Sequence, residues 1–373
     1  MRTNKHFRPT KAIIDLDAIK YNVLQLKKHI QPNVQIIAVV KANAYGHGDV
    51  EVAKAALEAG ASMLAVATPE EALHVRKHLP DPDILVLGYS PTSFAEYAAN
   101  ENITLTVDSP NWVNEAKNSC KKTLKLHIKV DTGMHRIGIA TEEELRSLYE
   151  AIQSSGQFVV DGIFTHFATA DEEDESYFQK QVNRFEQFLK ILPKKPRIVH
   201  AANTATALIK DARLQYDAVR YGISMYGLAP SEYVKSKLPY PLKPAFSLET
   251  ELVAVRQIGP GESVGYGASY TVDRPTFIGT IPIGYADGLI RKYSGQDVLI
   301  DGKRVPIVGR ICMDQCMIAL PAAYNIGEKV VLIGKQKNEE ITIDEWAAKA
   351  GTINYEVPCI ITSRVPRIYC KKG

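Results

Sequence analysis

Short apolar runs alternate with stretches of helical periodicity between Gln35 and about Gly222. There are eight runs, at positions 36–40, 63–66, 84–87, 103–107, 124–130, 159–165, 197–200 and 217–221. Near-continuous runs rich in β-branched residues are typical of parallel strands that are buried on both faces. Eight such strands alternating with helices predict an α/β fold, a (β/α)8 TIM-type barrel. A doubly wound sheet is the alternative, although no GxGxxG motif follows any of the strands.

The helices between these strands have recognisable ends. The segment Thr68-Pro69-Glu70-Glu71 predicts a capping box with proline at the first helical position, and Thr141 with Glu144 repeats the capping pattern. Gly60 follows the helical stretch VEVAKAALEA and occupies the usual glycine position after a helix. These signals support helices that connect one strand to the next.

The pattern changes after Tyr240, where prolines at 239, 241 and 244 mark a boundary. Short alternating stretches separated by glycine turns follow, and they predict a small β-barrel or sandwich with one late helix, IDEWAAKAG. We therefore predict a barrel over 12–240, a mostly-β domain over 241–373, and an N-terminal segment, 1–11, that packs with the C-terminal domain. The apolar run at 12–16 is surplus to the eight strands and is a candidate for the second domain.

The composition excludes several classes of protein. Hydrophobic residues make up 45% and charged residues 23% of the 373 residues, as in soluble proteins of two domains. A net charge of +3 gives no support for binding to nucleic acid or to a membrane surface. The chain shows neither a signal peptide nor an apolar run approaching the ~20 residues that cross a bilayer, so we expect a cytoplasmic protein. The cysteines are odd in number and lack metal-like clustering, which predicts reduced thiols and no metal: Cys120, Cys312, Cys316, Cys359 and Cys370.

Candidate chemistry begins at Lys41, in the segment IAVVKANAYGHG over 37–48. A buried strand ends there in a lysine, and catalytic groups of TIM barrels lie at the carboxyl ends of the strands. Apolar neighbours favour the neutral amine because desolvation disfavours the ammonium ion, so Lys41 is a plausible Schiff-base nucleophile. The alternative is a structural lysine that extends out of the barrel mouth.

The segment around Lys41 resembles the cofactor-lysine motif of the alanine racemase family. The resemblance continues, in the family's order along the chain, at further segments: HIKVDTGMHRIG (127–138), THFATAD (165–171), HAANTA (200–205), VGYGASY (264–270), PIGYADG (282–288), GRICMDQ (309–315) and NYE (354–356). It covers essentially the whole chain. The family implies a homodimer with shared active sites that uses pyridoxal 5'-phosphate to supply D-alanine for peptidoglycan.

The resemblance implies a role for each matching residue. Lys41 is the internal-aldimine lysine and the base that serves D-alanine, whereas Tyr266, from the neighbouring subunit, serves L-alanine. A lone tyrosine in such a strand is more often a packed aromatic, but the flanking glycines suggest a close approach to a ligand. Arg220 matches the arginine that faces the pyridine nitrogen. Because a guanidinium does not give up its proton, it leaves that nitrogen unprotonated and discourages transamination.

The remaining matches divide into three sets. Those implied to bind the cofactor, with the phosphate over backbone N–H groups and hydroxyls, are Tyr45, His166, Asn203, Thr204, Gly222, Ile223 and Tyr355. Those implied to bind the substrate, either through its carboxylate or by orienting Arg136, are Arg136, Met313 and Lys129. Those lining the substrate access channel are Asp171, Tyr285, Arg291, Arg310 and Ile353. Lys129 matches a lysine that is often carbamylated, and an unmodified ion-pair lysine remains open here.

Other functions remain as alternatives. A broad-specificity amino-acid racemase is the nearest, and a related pyridoxal-phosphate decarboxylase would place an acid rather than Arg220 at the pyridine nitrogen. A non-catalytic cofactor carrier would resemble the barrel alone. A metal-dependent barrel hydrolase would use histidines at strand ends, for which His127, His166 and His200 are the candidates, but HxH spacing is absent.

Overall fold

The computed structural model describes residues 6–370, which form two compact units. The first unit comprises 17–44 and 49–244, and the second comprises 6–16, 45–48 and 245–370. The boundaries drawn from the sequence, at 11/12 and 240/241, stay predictions. Residues 1–5 of the predicted N-terminal segment and 371–373 of the C-terminal domain lie outside the described residues.

Eight parallel strands form the centre of the first unit, and the predicted (β/α)8 barrel is confirmed. Their bounds are Gln35–Val39, Met63–Val66, Asp83–Val86, Ile103–Val107, Leu124–Lys129, Phe158–Phe164, Ile198–His200 and Ala218–Tyr221. The first seven strands pair consecutively along the chain, and the eighth pairs with the first, with Arg220 opposite Ile37. The sheet closes between the seventh and eighth strands, where Asp217 N–H donates to Val199 O (3.0 Å) and Arg220 N–H donates to Ala202 O (3.0 Å).

Helices connect these strands, as the periodicity predicts. The α-helices are Leu16–His29, Asp49–Glu58, Pro69–His78, Ala95–Asn100, Pro110–Ala116, Glu142–Ser155, Ser176–Ile191, Thr204–Ile209 and Glu232–Ser236, with 3-10 turns at Thr92–Phe94, Ala212–Gln215 and Ile223–Tyr226. Thr141 and Glu144 form the predicted reciprocal capping box. Barrel strands are buried on both faces, since every residue of Met63–Val66 and of Ile103–Val107 is buried.

The second unit is mostly β, as predicted. One hydrogen-bonded path joins its strands in the order Ala254–Ile258, Thr276–Ile281, Cys316–Leu320, Lys303–Val308, Asp297–Ile300, Lys329–Gln336, Phe246–Glu251, Lys11–Asp15 and Arg367–Cys370, with Glu339–Ile341 beside Lys329–Gln336. The apolar run near residue 12 joins this sheet, antiparallel to Phe246–Glu251 and parallel to Arg367–Cys370. A separate hairpin pairs Ser263–Val264 with Tyr270–Thr271.

Short helical segments complete the second unit. They are Ile343–Ala350, Glu356–Ile360 and the 3-10 turns Tyr266–Ala268, Tyr285–Asp287 and Arg291–Tyr293. The first of them is the predicted late helix, and Thr342 and Glu345 cap it reciprocally. No helix within residues 6–370 combines the length and the apolar character needed to span a membrane.

Candidate active site

Lys41 lies at the carboxyl end of the first barrel strand and opens a left-handed turn. The next residues, Ala42, Asn43 and Ala44, have φ values of 53°, 53° and 52°. Residues other than glycine are disfavoured in this conformation, by roughly 1–2 kcal/mol each, because Cβ approaches the following carbonyl oxygen. Ala44 N–H donates to Val40 O at 2.8 Å, so the turn is tied back to the strand. The backbone after Lys41 is therefore held in an energetically unfavourable conformation.

Glu71 holds this turn, which changes the interpretation of its capping motif. Thr68 Oγ1 accepts from Glu71 N–H at 3.3 Å, so half of the predicted capping box is present. The Glu71 carboxylate accepts instead from Ala42 N–H and from Ala67 N–H, each at 2.7 Å. The other half of the box is therefore absent, because the carboxylate bridges the ends of the first two barrel strands.

The Arg220 guanidinium is buried among neutral acceptors. Nη1 donates to His200 O and to His200 Nδ1, both at 2.9 Å. Nη2 donates to Thr165 O at 2.8 Å, to Ala201 O at 3.0 Å and to His166 Nδ1 at 3.3 Å. Within residues 6–370, no carboxylate contacts Arg220 and its Nε makes no hydrogen bond. A full positive charge with one unused donor thus lies at the carboxyl end of the barrel.

Burial and nearby cations set the protonation states around Arg220. Burial first, and then the charge of Arg136, lower the pKa of Arg220 to about 9, so the guanidinium stays charged at neutral pH. Burial and the positive charges of Arg220 and Arg136 lower the pKa of His166 well below its usual value. The His166 ring is therefore neutral. Because its Nδ1 accepts from Arg220, its proton lies on Nε2.

Lys129 is the last residue of the fifth strand, and its side chain lies near the charges of Arg136 and Arg220. We call the surroundings of these three side chains the cationic region. The residue is 5% exposed, and its ammonium lies 5.3 Å from the centroid of the Phe164 ring. Burial, followed by the charges of Arg136 and Arg220, lowers the pKa of Lys129 to about 8. Arg136 is exposed on the loop after this strand and makes no hydrogen bond with another residue of the described chain.

The segments that follow the seventh and eighth strands bring together the residues predicted to bind the phosphate. Asn203 caps the helix Thr204–Ile209, and its Oδ1 accepts from Thr206 N–H at 3.0 Å. Thr204 Oγ1 accepts from Gly222 N–H at 2.9 Å. Ile223 begins a 3-10 turn, and the first N–H groups of a helix have no acceptor within it. One hydroxyl hydrogen and one backbone N–H group therefore remain for an anion.

Tyr266 lies in the second unit, on the tip of a hairpin whose turn has glycines on both sides of this residue. Gly265 and Gly267 flank it with φ values of 74° and 71°, a region that other residues rarely adopt. A Cβ atom on Gly267 would lie 2.9 Å from Nη1 of Arg310, and one on Gly265 would lie 2.9 Å from Cε of Met317. The Tyr266 side chain itself is 72% exposed. The hairpin thus presents an exposed phenol, and the Arg310 guanidinium lies beside the turn at Gly267.

Two predicted segments of the second unit pack backbone against backbone. Tyr285 N–H donates to Cys312 O and Ala286 N–H donates to Met313 O, both at 3.0 Å. A Cβ atom on Gly284 would lie 2.4 Å from the same two carbonyl oxygens, so glycine is required at this close approach. Tyr285 and Met313 are therefore neighbours, as the resemblance implies for residues of one site.

The other predicted residues of the second unit lie in two places. Arg291 and Arg310 line an open cleft of about 700 Å³. Tyr45 and Tyr355 form an aromatic pair with ring centroids 6.1 Å apart, and burial, with a contribution from Cys359, raises the pKa of Tyr45 above its usual value.

Two predicted residues lie apart from these pairs. Ile353 is 62% exposed in the second unit. Asp171 belongs to the barrel unit, where its carbonyl oxygen accepts from Ser231 Oγ at 2.7 Å.

Sequence reasoning missed Asp287, which is fully buried in the motif PIGYADG. Its carboxylate accepts two hydrogen bonds from Arg8, at 2.7 and 3.0 Å, and lies 3.2 Å from Nε of Arg364. It also accepts from Gly284 N–H at 3.0 Å and so fixes the turn that carries Tyr285. An aspartate inside a matched motif was the available signal, but its partners lie far away in the sequence.

Phe164, His127 and His200 were also missed as parts of the cationic region. Phe164 stacks on the His200 ring at 4.7 Å, and Arg220 lies 5.5 Å from the Phe164 centroid. His127 and His200 hydrogen-bond to each other at 2.9 Å. No three histidine, cysteine or acidic side chains of residues 6–370 are arranged to hold a metal ion.

Comparison with known proteins places both units. Residues 14–230 match the family model described as alanine racemase, N-terminal domain, and residues 245–369 match the model described as alanine racemase, C-terminal domain. An alanine racemase of Anoxybacillus flavithermus is 51% identical over 369 residues, which cover 98% of this chain and 96% of the relative.

Solved structures agree with the sequence comparison. Alanine racemase from Bacillus anthracis, solved with bound L-Ala-P, has a TM-score of 0.96 at 45% identity, covering 99% of this chain and 97% of that chain. A histidine racemase from Leuconostoc mesenteroides has a TM-score of 0.93 at 31% identity, covering 99% of this chain and 100% of that chain.

Proposed function

The chain belongs to the alanine racemase family, and we propose that it interconverts L-alanine and D-alanine with Lys41 and Tyr266 as its two bases. Alanine racemisation is the activity named for relatives that share about half of its sequence. The proposed role in the cell is the supply of D-alanine for peptidoglycan, which is consistent with the family.

The environment of Arg220 is the observation that carries this proposal. Arg220 lies on the strand that pairs directly with the strand preceding Lys41, and its partners are carbonyl oxygens and neutral histidines. A decarboxylase of this fold would be expected to place an acid at that position. A charged guanidinium cannot protonate a ring nitrogen, so it favours the limited electron withdrawal that suits racemisation.

The amine and the hydrogen-bond donors at the carboxyl end of the barrel fit pyridoxal 5'-phosphate, the cofactor of the family. When bound, this cofactor withdraws electrons from the substrate and acidifies its α-C–H bond. Lys41 would hold it covalently, and the unused Nε–H of Arg220 would face its ring nitrogen. The Thr204 hydroxyl and Ile223 N–H would hold its phosphate, with Gly222 positioned by Thr204.

The remaining cofactor residues support this assignment by their chemistry. Tyr45 and Tyr355 are adjacent phenols in the second unit and would donate to the phosphate. Asn203 is fixed by its capping bond and would lie beside Thr204. The excess of positive charge from Lys129, Arg136 and Arg220 suits a ligand that carries a phosphate and a carboxylate.

Each base acts on one face of the α-carbon. Lys41, held by the left-handed turn, would take or return the proton on the face that serves D-alanine. Tyr266 of the partner subunit would serve L-alanine on the opposite face. His166 is a neutral ring whose Nδ1 accepts from Arg220, so its Nε2–H is left to donate to that phenol oxygen. This link would make the tyrosine a stronger acid and ease its return to the phenolate.

The substrate carboxylate would bind to Arg136 and to the N–H of Met313. Carbamylation of Lys129 would convert a cation into an anion that orients Arg136. Tyr285, together with Asp171, Arg291, Arg310 and Ile353, would line the access channel. A pocket kept small by Tyr285 and Tyr355 favours alanine, although one extra group costs only ~1–3 kcal/mol of discrimination, so we expect weaker activity on serine.

A broader substrate range is the second candidate function. A histidine racemase shares this fold at 31% identity, so the fold accommodates larger side chains. The proposed homodimer and the proposed cytoplasmic location accompany either substrate range. Rates measured on alanine, serine and histidine with one preparation would decide between the two.

The proposal is tested with the full chain loaded with pyridoxal phosphate, in D2O, with chiral analysis of alanine. The wild-type chain should form D-alanine from L-alanine, and Lys41→Ala should lose both the borohydride-sensitive visible absorption and the activity. Tyr266→Phe should keep the absorption, lower racemisation by at least ~10²-fold, and lose α-deuterium exchange of L-alanine more than that of D-alanine. Tyr270→Phe, on the same hairpin, is the matched control. Intact absorption without D-alanine would favour a decarboxylase or a carrier.

A further inference from the structure

A chain of buried polar groups leads away from Arg220 through the barrel interior. Arg220 Nη1 donates to His200 Nδ1 at 2.9 Å, and His200 Nε2 lies 2.9 Å from His127 Nδ1. His127 Nε2 lies 3.3 Å from Asp161 Oδ2. Asp161 in turn accepts from Arg197 Nε at 2.8 Å and from Arg197 Nη2 at 2.7 Å. This series of hydrogen-bonded side chains passes through the fully buried His127 and His200 and ends at Arg197, whose side chain is half exposed.

The direction of every hydrogen bond in this chain is fixed by chemistry. A guanidinium has donors only, so His200 Nδ1 must accept and the proton of a neutral His200 lies on Nε2. His200 therefore donates to His127 Nδ1, which places the His127 proton on Nε2. His127 then donates to the Asp161 carboxylate. The three donors all point the same way, from Arg220 toward Asp161.

Burial keeps both histidines neutral while Asp161 stays ionised. Burial lowers the pKa of His127, although Asp161 opposes this effect, and burial and the charge of Arg220 lower the pKa of His200 well below its usual value. Burial raises the pKa of Asp161, but hydrogen bonds from His127 and Arg197 outweigh it and hold that pKa well below its usual range. Asp161 is thus the anion at one end of a neutral chain that has a cation at the other.

Both histidine rings are closely packed by their neighbours. Phe164 stacks on His200 with the ring planes 8° apart. A Cβ atom on Gly162 would lie 2.6 Å from His127 Cε1, so the backbone of the neighbouring strand packs directly against that ring. Both histidines are fully buried. Neither residue touches the cofactor or the substrate in the proposed mechanism, so their place behind Arg220 needs another explanation.

We propose that Asp161, acting through His127 and His200, is a positioning residue that fixes the orientation of the Arg220 guanidinium. Arg220 is buried without a carboxylate partner, and the aligned chain presents to it the lone pair of an imidazole oriented by a distant anion. The guanidinium is held with its Nη groups engaged and its Nε free. The inference rests on the proposed function, because that function assigns the free Nε to the cofactor ring.

The test uses Asp161→Asn, with Asp83→Asn as the matched control. Asp83 lies 3.7 Å from Nη2 of Arg197 but makes no hydrogen bond to His127 in the described structure. In Asp161→Asn the amide oxygen would accept from Arg197, which turns the amide N–H groups toward His127 Nε2. The acceptor at the end of the chain is thereby replaced by a donor, without a change in side-chain size.

The first measurement is nitrogen NMR of the full-length protein labelled with ¹⁵N-histidine, assigned with single histidine substitutions. Wild type and Asp83→Asn should show His127 and His200 protonated on Nε2 alone. Asp161→Asn should move the His127 proton to Nδ1. His200 Nε2 must then accept from His127, so the His200 proton should move to Nδ1 as well and Arg220 Nη1 should lose its imidazole acceptor. Protonation on Nδ1 of either ring in the wild type, or an unchanged protonation pattern in Asp161→Asn, would overturn the proposed positioning role of Asp161. This readout does not depend on activity.

The second measurement is steady-state racemisation by the holoenzyme. Asp161→Asn should lower kcat by about tenfold, as loss of an outer hydrogen-bonding partner commonly does, with little change in KM, whereas Asp83→Asn should match the wild type. His127→Asn, which retains an acceptor for His200 but disconnects Asp161, should lower kcat similarly and serves if Asp161→Asn does not fold. Wild-type kcat in both relay variants would overturn the inference. Failure of the wild type to form D-alanine would instead overturn the proposed function.

Discussion

At the scale of single residues, burial and the neighbouring cations Arg136 and Arg220 determine the reactivity of Lys129. With its pKa lowered to about 8, roughly half of the Lys129 side chains carry a free amine at pH 8, whereas an ordinary lysine carries almost none. A free amine attacks carbon dioxide and loses a proton to form a carbamate. We therefore expect ¹³C-bicarbonate to produce a carbamate NMR signal that grows as the pH rises through about 8, because the amine deprotonates in that direction.

The matched pair for this experiment is Lys129→Met and Lys125→Met. Both lysines lie on the strand Leu124–Lys129, but Lys125 is more exposed and lies 3.6 Å from Asp83. Only Lys129→Met should remove the signal, and it should also weaken substrate binding because Arg136 loses its orienting anion. A signal that survives in Lys129→Met would place the modification elsewhere. No signal in the wild type would leave Lys129 as an unmodified cation.

At the scale of elements, the left-handed turn after Lys41 depends on Glu71. Its carboxylate accepts from Ala42 N–H and Ala67 N–H, so Glu71→Ala leaves two donors without their acceptor beside a strained backbone. We expect the free energy of unfolding to fall by about 1–3 kcal/mol, measured by chemical denaturation. Lys41 should also form its Schiff base with pyridoxal phosphate more weakly. Glu70→Ala, the exposed neighbour in the same helical turn, is the control, and equal losses in both variants would contradict the role of Glu71.

Elements that depend on neighbouring residues were predictable from the sequence, whereas those that depend on partners far away in the sequence were not. Each barrel strand lies within one residue of its predicted bounds, since apolar β-branched runs need no remote partner. The turn at Ala42–Ala44 left no such signal, because alanine does not favour a left-handed conformation and the turn is held by Glu71. His200 was visible as a polar residue in an apolar run, but its partner His127 lies 73 residues away. The cationic region around Arg220 was therefore predicted only through the family resemblance.

At the scale of the whole molecule, the resemblance and three exposed side chains of the second unit together predict association with a second copy. Tyr266, Met313 and Ile353 are each more than half exposed, although the resemblance assigns all three to the active site. We therefore expect a homodimer in solution whose active sites each combine Lys41 of one chain with Tyr266 of the partner subunit.

Mixed dimers test this arrangement directly. Chains carrying Lys41→Ala and chains carrying Tyr266→Phe should each be nearly inactive alone. After dissociation and reassociation of an equal mixture, about half of the dimers contain one chain of each kind, and each of these has one intact site of two. Racemisation should then recover to about a quarter of the wild-type value. If each chain supplied its own tyrosine, no intact site could form and the mixture would stay inactive at every mixing ratio.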